Sequence, residues 1–139
     1  MLFRSNVAKR SIPLSMVAPV TPTRSLGHLA ELAAAEVRAV LTAYHERDAE
    51  AAYKVWKDDA DLDDAYTALF RQLLTYMMED PRNITPCTHL LFMAKNIERI
   101  GDHATNIAEN VWFLVHGEPL TKQRVKRDLT SSPDMEPPV

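Results

Sequence analysis

A chain of 139 residues with 46% hydrophobic content has room for one domain and one core, and three glycines among many Ala, Leu and Met residues leave few turns for a multistranded sheet. The net charge of −3, with no basic stripe and no aromatics alternating with Lys or Arg, gives no footprint for nucleic acid. A single cysteine, Cys87, cannot close an internal disulfide, and no run approaches about 18 apolar residues, so the chain reads as an all-α, soluble, cytoplasmic protein.

Arg4, Lys9, Arg10 and Arg24 all precede the first acid, Glu31, a balance shared with organelle transit peptides, but Pro13, Pro19 and Pro22 break any long presequence helix. Residues 11–24 therefore read as an extended linker. Ser25 is the expected N-cap of a first helical segment, in which Leu26, Leu29, Ala33, Val37, Val40 and Tyr44 recur at three- and four-residue spacing up to a polar break at 45–48. Asp48 caps the second segment, whose stripe holds Ala52, Val55, Trp56, Asp59, Leu62, Asp63, Tyr66, Phe70, Leu73 and Met77 before Asp80 and Pro81 stop it. Thr85 followed by Pro86 opens the third, whose apolar residues run from Leu90 to Val115 and end at Gly117. Residues 118–139, rich in Lys, Arg, Asp, Ser and Pro, offer too little apolar surface to offset ordering and read as a disordered tail. The pattern predicts an up-down-up antiparallel three-helix bundle over residues 25–117.

Two carboxylate pairs stand out in this frame, Asp59 with Asp63 and Glu98 with Asp102, each spaced one helical turn apart. The first pair lies inside the apolar arc of the second segment. The second pair falls at the shoulder of the third segment's arc, with Glu109 between its members in angle. Burying several carboxylates costs several kcal/mol each, so a fold that keeps them on a packing face neutralises them with a cation or with basic partners. Lys95 and Arg99 are the basic candidates for the aspartates, and for Glu98 a neighbour of Arg99 along its own helix or Lys54 across from it. With no cysteine cluster, four acids from two helices suit a hard or borderline ion: Fe, Mn, Zn or Mg. His103 adjoins Asp102 but points about 100° away from it on the helix, which reads as surface rather than ligand. No acid in either motif helix has a histidine three residues later, unlike ferritin-type di-iron sites, and no Ser, Lys or His lies within one turn on the same face as Asp59 and Asp63. A carboxylate-bridged metalloenzyme such as a phosphohydrolase is therefore the alternative reading, not the leading one. Cys87 reads as a small packing residue.

The run from Leu73 to Glu118, with ERIGDHATNIAE at 98–109 and the acidic motif at 59–63, closely resembles the second half of PhoU proteins, bacterial regulators of phosphate uptake and signalling. The resemblance implies tandem three-helix repeats, metal binding through Asp59, Asp63, Glu98 and Asp102, and no catalysis. It also implies the phosphate-specific ABC transporter and a sensor histidine kinase as partners, repression of the phosphate-starvation (Pho) regulon, and membrane association only through those partners, with a homodimer left open. Residues 6–10 resemble the tail of the third helix of the preceding repeat, so residues 1–24 are expected to be a stub plus linker and the chain a C-terminal fragment.

Overall fold

The computed structural model describes residues 2–15 and 22–121. It contains four helices, α1 (Leu2–Ser15), α2 (Thr23–Glu46), α3 (Ala49–Glu79) and α4 (Ile84–His116), and no strand among the described residues. The all-α bundle expected from the spacing is the fold observed, with α2, α3 and α4 running up, down and up.

The turns show how the chain reverses so tightly. Arg47 takes the left-handed conformation (φ 53°) and its N–H closes onto the carbonyls of Ala43 and Tyr44. Asp48 then caps α3 as predicted, its carboxylate accepting from Ala51 N–H at 3.0 Å. Pro22, not Ser25, precedes α2, and Ser25 Oγ instead donates to Gln72 Oε1 on α3 at 3.1 Å. α4 starts ahead of the predicted Thr85–Pro86 cap, because a 3₁₀ turn at Pro81–Asn83 leaves Asn83 already helical (φ −79°, ψ −13°). Pro86 still falls in the first turn, where a missing N–H costs nothing. Gly117 ends α4 at φ 73°, its N–H donating to Phe113 O at 2.8 Å.

The N-terminal segment departs from expectation. Residues 11–15 are helical rather than extended, the last turn of α1, with Pro13 inside. A proline this close to a helix end removes one backbone donor without interrupting further turns. What holds α1 is α4, along which it runs antiparallel. Phe3 stacks on His103 (centroids 5.2 Å apart), Asn6 Nδ2 donates to Asn96 Oδ1 (3.4 Å), and the Arg10 guanidinium lies 4.2 Å from the Phe92 ring centroid. Thr23 and Arg24, also expected to be extended, are the first residues of α2, and residues 16–21 of the expected linker and 122–139 of the expected tail lie outside the described residues. Glu118–Thr121 are neither helix nor strand, and Leu120 packs back against the bundle.

Buried side chains form two clusters. One gathers Leu26, Leu29, Leu62, Tyr66, Leu69, Leu73, Leu90 and Ile97 with smaller neighbours. The other gathers Val40, Ala43, Ala52, Val55, Trp56, Ala104, Ala108 and Val111. Tyr44, assigned to the α2 stripe, is 56% exposed, because the seam steps from Val40 to Ala43 and leaves Tyr44 about 100° further round. Val37, Ile100 and Ile107 are only half-buried, facing a groove beside α1.

Candidate functional site: an acidic layer between two apolar clusters

Midway along the bundle the apolar seam is interrupted on all three long helices. On α3 the interruption is Asp59 and Asp63, and on α4 it is Glu98; each of the three is 1% exposed. On α2 it is Glu36, half-buried, three residues after Ala33 and four before Val40, and so on the same stripe as both. Asp102, at the predicted shoulder, is half-buried at the rim of this layer.

Antiparallel packing sets the register. Lys95 Nζ on α4 lies 5.0 Å from the ring centroid of Tyr66 on α3, and Gly101 faces Asp59 and Leu62. One turn between these levels places Asp63 opposite Glu98. Gly101 is a point of close approach. A Cβ there would collide with Leu62 Cδ2 and lie 2.9 Å from Glu36 Oε2 and 3.1 Å from Asp59 Oδ1. Carboxylates from α2 and α3 thus converge on bare α4 backbone, where only glycine leaves them room.

The basic partners weighed from sequence are disposed differently. Lys95 pairs along its own helix with Glu98 (Nζ to Oε2, 3.0 Å), its side chain 24% exposed so that the ammonium bridges the buried acid and solvent. Lys54 pairs with Asp58 at 3.0 Å on the outer face of α3, not with Glu98. Arg99 is exposed, its guanidinium 5.7 Å from the Phe3 ring centroid. His103 is turned outward onto Phe3, as its helical angle predicted. Glu109, also exposed, accepts from Trp56 Nε1 at 3.0 Å and so clips the second cluster shut. Cys87 is fully buried, and burial pushes its thiol above the ordinary range, which suits a packing residue and disfavours a thiolate.

Carboxylate oxygens are the donor type that hard and borderline cations take, and the space beside Gly101 admits two of them. As packed here, no three His, Cys, Asp or Glu side chains among the described residues gather closely enough to hold an ion. The predicted ligands Asp59, Asp63 and Glu98 therefore share a buried layer, with Asp102 at its edge, rather than a preformed chelate. Glu36 and Gly101 escaped the sequence reading, although each carried a signal: an acid on an apolar stripe, and a lone glycine within a helical pattern.

Comparison with known proteins gives one consistent answer. The PhoU domain model matches residues 26–111. A phosphate-specific transport system accessory protein PhoU homolog of Xylella fastidiosa (strain 9a5c) is 58% identical over 96% of this chain and 57% of its own length. Its counterpart from Rhizobium meliloti (strain 1021) is 54% identical over 91% of this chain and 54% of its own length. The crystal structure of PhoU from Pseudomonas aeruginosa superposes with a TM-score of 0.80 at 37% identity, covering 84% of this chain and 56% of that one. The chain spans about half the length of the curated relatives it matches.

Proposed function

Since the chain belongs to the PhoU family, we propose that it is a non-catalytic accessory of phosphate transport, acting in the cytoplasm on the phosphate-specific ABC transporter and a sensor histidine kinase to repress the phosphate-starvation response. The observation that carries this reading is the 58% identity, across 96% of the chain, to a protein described as an accessory of the phosphate-specific transport system. No helix among the described residues is long and apolar enough to cross a membrane, which fits contact with a transporter from the side. The test is complementation: expressed in a bacterium lacking its PhoU protein, the chain should restore phosphate-dependent repression of alkaline phosphatase. Unrelieved derepression with the chain present and folded would overturn the proposal.

We further propose that Asp59, Asp63, Glu98 and Asp102 take a divalent or trivalent ion. When bound, the ion would supply positive charge to the acidic layer. The residues' own contribution is to bring hard oxygen donors from facing helices to one level, Asp59, Asp63 and Glu98 buried and Asp102 at the rim. Because no three donors gather in the conformation described, binding requires side-chain rearrangement, with Glu36 beside them. A bound ion stabilises the fold by RT ln(1 + [L]/Kd), about 2.7 kcal/mol at a hundredfold excess over Kd. Melting temperature should therefore rise with added Fe, Mn, Zn or Mg, and Asp59→Asn with Asp63→Asn should abolish the rise. An equal rise in the double variant would exclude these aspartates as ligands.

A further inference from the structure

A cavity of about 360 Å³ opens between α2 and α3 and is built by these two helices alone, without α1. Its charged residues are Glu36 on α2 and Lys54, Asp58 and Asp61 on α3. Three acids thus face one base, and that base is already paired with Asp58 at 3.0 Å. Asp58 and Asp61 are exposed at the mouth, whereas Glu36 is half-buried.

Glu36 belongs to the cavity and to the acidic layer at once. A Cβ on Gly101 would lie 2.9 Å from Glu36 Oε2 and 3.1 Å from Asp59 Oδ1, so the two carboxylates meet on the inner side of the cavity wall. One side chain therefore spans the step from an acid-rimmed opening to the buried aspartates.

The other approach to the layer carries the opposite charge. Asp102 stands at the rim on α4, and Lys95 and Arg99 share its side of that helix, all three within about 60° on a wheel of 100° per residue. The Lys95 ammonium sits 3.0 Å from Glu98 Oε2, between the buried acid and solvent. A cation arriving there is repelled, while one arriving between α2 and α3 is attracted. Clefts of one sign raise the local concentration of counter-ions and their on-rate by about 10–10³.

We propose that the cavity between α2 and α3 is the route by which a metal cation enters the acidic layer. Asp58 and Asp61 draw it in from solvent, and Glu36 is the carboxylate that passes it to Asp59 and Asp63. Since no three donors among the described residues gather as packed, the ion reaches its final ligands in steps, and Glu36 is the first of them below the surface. The proposal rests on the metal-binding reading above and adds to it an entry path and a part for α2.

The test uses Mn²⁺ alone as the probe. Electron paramagnetic resonance of the free ion gives its affinity for the full chain, and stopped-flow quenching of tryptophan fluorescence gives the rate of entry. Asp58→Asn with Asp61→Asn should slow entry at least about tenfold at low ionic strength, and added salt should slow the wild type toward this variant. Glu36→Gln, which keeps the shape of the side chain and leaves the mouth charged, should slow entry about as much. Arg99→Gln, on the other approach, should stay within about twofold of the wild-type rate. Asp58, Asp61 and Arg99 are exposed, so an unchanged circular-dichroism melt of the metal-free variants checks their folding, and the mouth variant decides the matter should Glu36→Gln melt early. Entry at the wild-type rate in the mouth variant or in a folded Glu36→Gln, or faster entry in Arg99→Gln, would overturn the route and leave the metal site standing. A wild type that takes up no Mn²⁺ would overturn the metal-binding reading and the route with it.

Discussion

The two apolar clusters on either side of the acidic layer are built on different plans. The cluster toward the α3–α4 turn is filled by long side chains, with Leu29, Leu73 and Leu90 at 1% exposure or less. The cluster toward the α2–α3 turn is filled by alanines at 43, 52, 104 and 108 with Val40, Val55 and Val111, and one large side chain, Trp56, anchored through its indole N–H. Where leucines interleave, the helices are spaced by side chains; where alanines face each other, backbone meets backbone and little volume is left to remove. One end should be sensitive to truncation and the other to enlargement. Leu73→Ala, which empties a fully buried site, should cost about 2–5 kcal/mol, the largest effect expected here. Ala52→Leu should cost about 1–3 kcal/mol by overpacking, while Ala52→Gly costs only about the 1 kcal/mol of helix propensity. Urea unfolding of the three variants reads the contrast directly. A Leu73→Ala cost no greater than that of Ala52→Gly would remove the distinction.

The boundary between the clusters gives the next largest effect. Gly101→Ala gains about 1 kcal/mol of helix propensity, but its methyl meets Leu62, Glu36 and Asp59 at once. Leu62 is 1% exposed and cannot swing into solvent, so the clash outweighs the gain and the variant should be less stable by about 1–3 kcal/mol. If Gly101→Ala instead stabilises, the carboxylates do not crowd the α4 backbone in solution. A fold disturbed at this level should also lose any metal-dependent rise in melting temperature.

Much of this arrangement was legible in the sequence, for a reason visible in particular residues. The spacing through Leu26, Leu29, Ala33 and Val40, and its equivalents in α3 and α4, is long enough to identify helices without knowledge of their partners. Asp59 and Asp63 announce themselves because a charge in such a stripe has no place in water. Glu36 obeys the same rule but stands alone, with no companion one turn away to draw the eye. α1 was not legible. Pro13 and the lack of an apolar period argue against a helix there, and only its contacts with His103, Asn96 and Phe92 on α4 supply what its own sequence lacks. Gly101 needed its neighbours too, since a helical glycine states that something comes close without saying what.

The turns at the two ends extend the comparison to smaller effects. Beside the alanine cluster, Asp48 caps α3 through Ala51 N–H, and Asp48→Ala should cost about 1 kcal/mol, as lost N-caps do. Beside the leucine cluster, Asp80 accepts from Arg82 through backbone N–H at 2.9 Å and guanidinium Nε at 3.1 Å. The side-chain hydrogen bond from Arg82, followed by its backbone hydrogen bond, holds the Asp80 carboxyl below its ordinary 3.8. A carboxyl depressed in the folded state contributes stability above its unfolded value, and that contribution is lost as pH falls through the folded value. Arg82 is 90% exposed and the pair is screened by solvent, so the contribution is the smallest considered and should shrink further in salt. Wild type should therefore melt slightly above Asp80→Asn near neutral pH and lose that margin as pH falls below the carboxyl's ordinary 3.8, where it takes up its proton. A margin unchanged across that range would mean that the turn depends on the shape of the Asp80 side chain and not on its charge.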